Sequence, residues 1–104
     1  MMNDQPLVCM PDAINKQQQH RHDALFATIT GAVQTVHETP NGYQLVLPIA
    51  MTSPAAEFIT LERLCCPFLE FTLQVAPGSD TVCLTLSGRE GVKDFLRGLI
   101  EQMA

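Results

Sequence analysis

Long apolar runs are missing from this chain. Its apolar residues are dispersed, and no stretch approaches the ~20 residues that a helix needs to cross a bilayer, so no membrane span is expected. The first ten residues, MMNDQPLVCM, lack a basic segment followed by an apolar stretch, and no secretory signal is read there. The expectation is a protein of the cytoplasm. Basic residues are also scarce: six Lys and Arg stand against eleven Asp and Glu, for a net charge of −5. Residues 1–30 are nearly balanced, with Asp4, Asp12 and Asp23 against Lys16 and Arg21. The remainder sets eight acids against Arg63, Arg89, Lys93 and Arg97. No basic groove can be assembled from these, and a net-acidic surface repels phosphate backbones, which argues against nucleic-acid binding.

What is present is enough for one core. At 104 residues, 46% hydrophobic and 16% charged, the chain reads as a single folded domain over 1–104 and not as a disordered segment. Residues 1–10 read as an irregular arm carrying Cys9. Pro11-Asp12 then offers a helix start, with Asp12 as cap, and the composition predicts a helix over 12–29 whose stretch from Asn15 to His22 is wholly polar. Such a helix packs at the domain's edge or against a second subunit, as in a homodimer.

Gly31 punctuates, and a strand is expected over 32–39. Pro40-Asn41-Gly42 is a turn signal, since Asn and Gly accept positive φ cheaply, and Tyr43–Leu47 alternates as the returning strand. Ser53-Pro54 reads as cap and first helical residue of a second helix, which Pro67 must stop near Cys65 or Cys66. Leu69–Val75 and Thr81–Leu86 alternate across a Pro77-Gly78-Ser79-Asp80 turn and form a second hairpin. Val92, Phe95, Leu96, Leu99, Ile100 and Met103 then make one apolar stripe on a last helix, begun by Ser87 or Gly88. The expected architecture is α+β: a two-layer sandwich whose four-stranded, mainly antiparallel sheet comes from two β-hairpins (ββαββα), with helices on one face and an N-terminal helix before it.

The chemistry concentrates at Glu62, Cys65 and Cys66. On a helix, Ala55, Phe58 and Ile59 define the apolar stripe, and its continuation passes through Glu62 and then both thiols at i+3 and i+4. A carboxylate on a core-facing stripe breaks a local rule, and such breaks concentrate at functional sites. Three chemistries fit. Thiolates could hold a soft metal such as zinc or copper(I), with Glu62 as ligand or hydrogen-bonding partner and Cys9, His37 or a second subunit completing the set. One thiol could be redox-active, although a nearby carboxylate raises a thiol's pKa and a bond between adjacent cysteines requires a strained ring. Glu62 could serve as acid or base beside a cysteine nucleophile, the weakest option, so an enzyme is not the favoured expectation.

A plain reading stands beside these. Buried cysteine packs as a small hydrophobe, and Glu62 could reach solvent or pair with Arg63 or Arg97, leaving a non-catalytic interaction module. With no sign of an oxidising compartment, free thiols are the default for Cys9, Cys65, Cys66 and Cys83. Cys83 is out of phase with Val82, Leu84 and Leu86 and is read as structural. His20 and His22 are two apart, on different faces of a helix, and are not read as a site; His37 reads as a strand-surface residue. The site residues expected for a soft metal are Cys65, Cys66, Glu62 and Cys9.

Glu62-Arg63-Leu64-Cys65-Cys66-Pro67-Phe68-Leu69-Glu70-Phe71, followed by Leu86-Ser87-Gly88-Arg89-Glu90-Gly91-Val92-Lys93-Asp94-Phe95-Leu96, resembles an uncharacterised group of small bacterial proteins. These share an E-R-x-C-C-P-F core and an L-T-G-x-E-G-x-K-x-F-L tail, with a cysteine near the N-terminus in the position of Cys9. The resemblance spans about residues 43–97 and implies no particular activity. Leu64 stands where a second arginine is frequent in the group, and Ser87 where threonine is.

Overall fold

In the computed structural model, residue 7 and residues 9–103 are described. A 3-10 turn, Pro11–Ala13, precedes helix α1, Lys16–Ala32. Strands β1, Thr35–Thr39, and β2, Gly42–Pro48, lead through a second 3-10 turn, Ile49–Met51, into helix α2, Thr52–Cys65. Strands β3, Glu70–Gln74, and β4, Thr81–Ser87, lead into helix α3, Val92–Met103. The sheet order is β1-β2-β4-β3 with every neighbouring pair antiparallel, so the α+β arrangement of two hairpins, each followed by a helix, is the one the sequence led us to expect.

The central strands explain the core. β2 and β4 pair along their whole lengths, Tyr43 opposite Leu86, Leu45 opposite Leu84 and Leu47 opposite Val82. All six are buried, because strand side chains alternate faces and these positions share the one covered by helices. The opposite face carries Gln44, Val46, Cys83 and Thr85, none of them buried. Cys83 therefore sits out of the core, as its phase indicated. From the helical layer, Leu25 and Ile29 of α1, Ala55, Phe58 and Leu61 of α2, and Val92 and Leu96 of α3 complete the cluster. Phe68, just past the α2 terminus, meets Phe95 of α3 edge to face at 5.0 Å between ring centroids.

Several boundaries differ from expectation for local reasons. The helix expected over 12–29 starts at Lys16, and its cap is Asn15, not Asp12. The Asn15 side chain accepts from the Gln18 amide at 2.8 Å while the Gln18 side chain accepts from the Asn15 amide at 2.9 Å, a reciprocal capping box that a single acidic residue at 12 cannot match. The same helix runs through Gly31 to Ala32, so β1 begins later, at Thr35. Ser53 does not cap α2: the preceding 3-10 turn runs directly into that helix, and the Thr52 hydroxyl donates back to the Ile49 carbonyl at 2.7 Å. α3 begins at Val92, four residues after Gly88.

The first hairpin turns at Pro40-Asn41 without positive φ, as the proline ring requires at its own position. Gly42 is needed there for another reason. A Cβ on it would lie 1.9 Å from the Leu86 carbonyl oxygen, so only glycine lets β4 approach β2 at this register. Pro67, by contrast, acts as expected: α2 ends at Cys65, and Cys66 leaves the helix at φ −124° and ψ 74°.

Candidate functional site

Helix α2 places Glu62 and Cys65 one turn apart on its buried side, with Cys66 immediately past its end. Glu62 is 6% exposed, Cys65 6% and Cys66 0%, whereas Arg63 and Leu64 are exposed. The periodicity argument for this face is thus borne out. The expected partners of the carboxylate are not. Glu62 pairs with neither Arg63 nor Arg97; its Oε1 lies 2.5 Å from His22 Nε2, across the α1–α2 contact.

His22 is the residue that sequence reasoning passed over. Its ring stacks on Phe58 at 5.3 Å between centroids, and its Nδ1 lies 3.5 Å from the Asp23 carboxylate. His20 shares none of this and is exposed. A signal was present: His22, Leu25, Phe26 and Ile29 fall at i, i+3, i+4 and i+7, one continuous helix face. The polar run before it concealed that face. Outside the site, Arg21 and Glu57 tie the same two helices by a two-pronged ion pair, each contact 2.6 Å.

Electrostatically the pair is asymmetric. The hydrogen bond that His22 donates to Glu62 raises the His22 pKa above its ordinary value; partial burial opposes this, and the charges of Glu62 and Asp23 add to the rise. Cys65 also moves up, first because burial disfavours the thiolate and second because the Glu62 charge repels it. Cys65 is therefore held as a neutral thiol, in keeping with the expectation that a carboxylate here works against a reactive thiolate.

The cysteines depart from the free-thiol expectation. Cys9 and Cys66 form a disulfide, with Cα atoms 4.6 Å apart and a separation of 57 in sequence, while Cys65 and Cys83 remain free. The strain expected of a bond between neighbouring cysteines is avoided because Cys66 pairs with the arm and not with Cys65. The arm is fixed in other ways too. The Met10 amide donates to the Cys65 carbonyl at 2.6 Å, satisfying a helix-end acceptor that has no partner within α2. Leu7 lies over Gly91, where φ is +95° and a Cβ would fall 2.7 Å from the leucine side chain. Residues 1–6 and 8 of the expected arm lie outside the described residues.

These elements line an open cavity of about 400 Å³ bounded by Cys9, Ile14, Gln19, His22, Asp23, Phe26, Glu62, Cys65 and Leu99. Arm, α1, α2 and α3 each contribute, so Cys9 does reach the neighbourhood of Glu62 and Cys65. His37 does not; it is exposed on β1. Among the described residues, no three His, Cys, Asp or Glu side chains stand ready to hold a metal ion, and with Cys9 bonded to Cys66 the expected set of Cys65, Cys66, Glu62 and Cys9 has two of its sulfurs engaged with each other. No helix among the described residues is long and apolar enough to cross a membrane.

No protein-family model, curated protein or solved structure matches the chain. The site must be read from its own geometry. It combines a disulfide with one exposed and one buried partner, a neutral thiol beside it, and a buried carboxylate paired with a half-buried imidazole on the same cavity.

Proposed function

We propose that this domain works through a reversible thiol–disulfide couple at Cys9 and Cys66. Opening it presents Cys9, Cys65 and Cys66, beside Glu62, to a thiol-reactive ligand or a soft metal ion. One observation carries the reading: Cys9, from the N-terminal arm, arrives at the end of the helix that bears Glu62, Cys65 and Cys66. We place the protein in the cytoplasm, where thiols are kept reduced and disulfides are transient, serving catalysis or redox sensing. In the reduced form the cysteines supply soft donors of the kind that select zinc or copper(I), and Glu62 supplies an oxygen ligand or a hydrogen-bond acceptor to a ligating group. Neither nucleic acid nor membrane has a part in this reading.

Titration of the reduced protein with zinc, copper(I) or mercury(II) tests it. Binding is expected in the natural protein and lost in a Cys65→Ser, Cys66→Ser double variant; binding unchanged in that variant contradicts the proposal. A second reading, a non-catalytic interaction module stapled by its disulfide, is favoured by the complete burial of Cys66. It predicts that the native bond resists reductants, that Cys65 labels slowly, and that substitution lowers stability and leaves ligand binding unchanged.

A further inference from the structure

We infer that the cavity between the arm and helices α1, α2 and α3 is the entry site for a small thiol, cationic in preference to anionic, which opens the disulfide by attack on the Cys9 sulfur. The inference rests on the reversible couple proposed above and adds the class of its reductant and the sulfur that receives it.

The two halves of the disulfide are not equivalent. Cys66 is 0% exposed at the α2 cap, whereas Cys9 is exposed and forms part of the cavity wall. Thiol–disulfide exchange requires the incoming sulfur to reach one of the two bonded sulfurs directly, so access decides which is attacked. Only Cys9 offers that access. A cavity of about 400 Å³ is at the lower end of the range that takes a small molecule and has room for a thiol of a few heavy atoms beside Ile14, Phe26 and Leu99.

Charge sets the preference among thiols. Asp23 and Glu62 bring two carboxylates to the wall against one imidazole, His22. Asp23 is 82% exposed at the mouth, and the whole chain carries −5. An anionic thiol is repelled from this opening and a cationic one drawn to it. Cys65 does not compete as nucleophile, being a buried neutral thiol.

The exchange balances without a further reactant. The attacking thiol, R–SH, loses its proton as its sulfur bonds to Cys9 Sγ, and the Cys9–Cys66 bond breaks with its electron pair leaving on Cys66. Cys66 takes up one proton, giving a Cys9–S–S–R mixed disulfide and a Cys66 thiol. A second R–SH attacks the R sulfur, releasing R–S–S–R and the Cys9 thiol, so two thiols are oxidised as one protein disulfide is reduced.

The test uses the oxidised full-length protein and cysteamine, quenched in acid, alkylated with N-ethylmaleimide and mapped by peptide mass. Cysteamine is expected on Cys9 and maleimide on Cys66; cysteamine on Cys66 or Cys65, or an even split, overturns the inference. The rate ratio of cysteamine to thioglycolate, measured on the native protein and on the same chain in urea, tests the entry route without any variant. At low salt the native ratio is expected to exceed the denatured one by about threefold or more, narrowing at high salt and in Asp23→Asn, since the interaction is screened within about 10 Å at 0.1 M salt. Equal ratios would overturn the cavity as the route. If a phosphine opens the native bond but cysteamine does not map to Cys9, this inference fails and the reversible couple stands. A bond that no reductant opens in the native state defeats both.

Discussion

Glu62 acts on two neighbours at once. The same carboxylate favours the protonated form of His22 by accepting its hydrogen bond and disfavours the ionised form of Cys65 by repulsion. Removing its charge therefore moves both groups the same way. In Glu62→Gln the His22 pKa is expected to fall, and Cys65 to ionise more readily while staying raised by burial, its larger cause. An NMR titration of His22 and the pH dependence of Cys65 alkylation check this; titrations unchanged from the natural protein would contradict it. The His22 shift also sets a pH dependence of stability. A histidine whose folded pKa lies above its unfolded value, near ~6.5, contributes stability that is fully present below that pH and is lost as pH rises through the folded value. Urea unfolding of the natural protein and His22→Asn should show the largest difference on the acidic side of that window and a shrinking one above it. Glu62 itself was legible in the sequence because a helix repeats every 3.6 residues and the apolar stripe leads straight to it. His22 was not, since its partner belongs to another helix 40 residues on, and only the packing of α1 on α2 brings them together.

At the scale of elements, the arm and the α2 terminus depend on each other. Met10 satisfies the Cys65 carbonyl, Cys9 is bonded to Cys66, and Leu7 seats on Gly91 at the start of α3. Closing a loop across 57 residues restricts the unfolded chain, and the loop-entropy relation puts the resulting stabilisation at about 4 kcal/mol. Reduction, or Cys9→Ala, is accordingly expected to lower the unfolding free energy by up to about 4 kcal/mol, measured by denaturant titration with and without reductant. A difference below about 1 kcal/mol would mean that the bond does not staple the arm. Hairpins were the most legible elements: alternation of Tyr43, Leu45 and Leu47, and of Val82, Leu84 and Leu86, is a strictly local pattern. Helix starts were less so. Asn15, Met51 and Gly91 precede the three helices, and only the first has a side chain that caps. The 3-10 turn running into α2 left Ser53 and Pro54 inside the helix and not at its boundary.

The whole molecule is a sheet with one helix-covered face, and the candidate site lies in the helical layer, away from that sheet's open face. The site is assembled from the arm, α1, α2 and α3, so the fold holds a part-buried acid–imidazole pair and a neutral thiol beside a disulfide. The α+β architecture could be read from periodicity because each element carries its own pattern. The disulfide could not, because no local rule joins residues 57 apart, and the expectation of a reducing compartment pointed to free thiols. That expectation and the observed bond are reconciled if the bond opens and closes in the native protein. The most direct test is a redox equilibrium: native protein held at a series of reduced-to-oxidised glutathione ratios, quenched in acid, with each cysteine scored by peptide mapping. The account predicts one reversible two-electron transition confined to Cys9 and Cys66, with Cys65 and Cys83 thiols throughout. A bond that stays closed across every ratio until the protein is unfolded would contradict it.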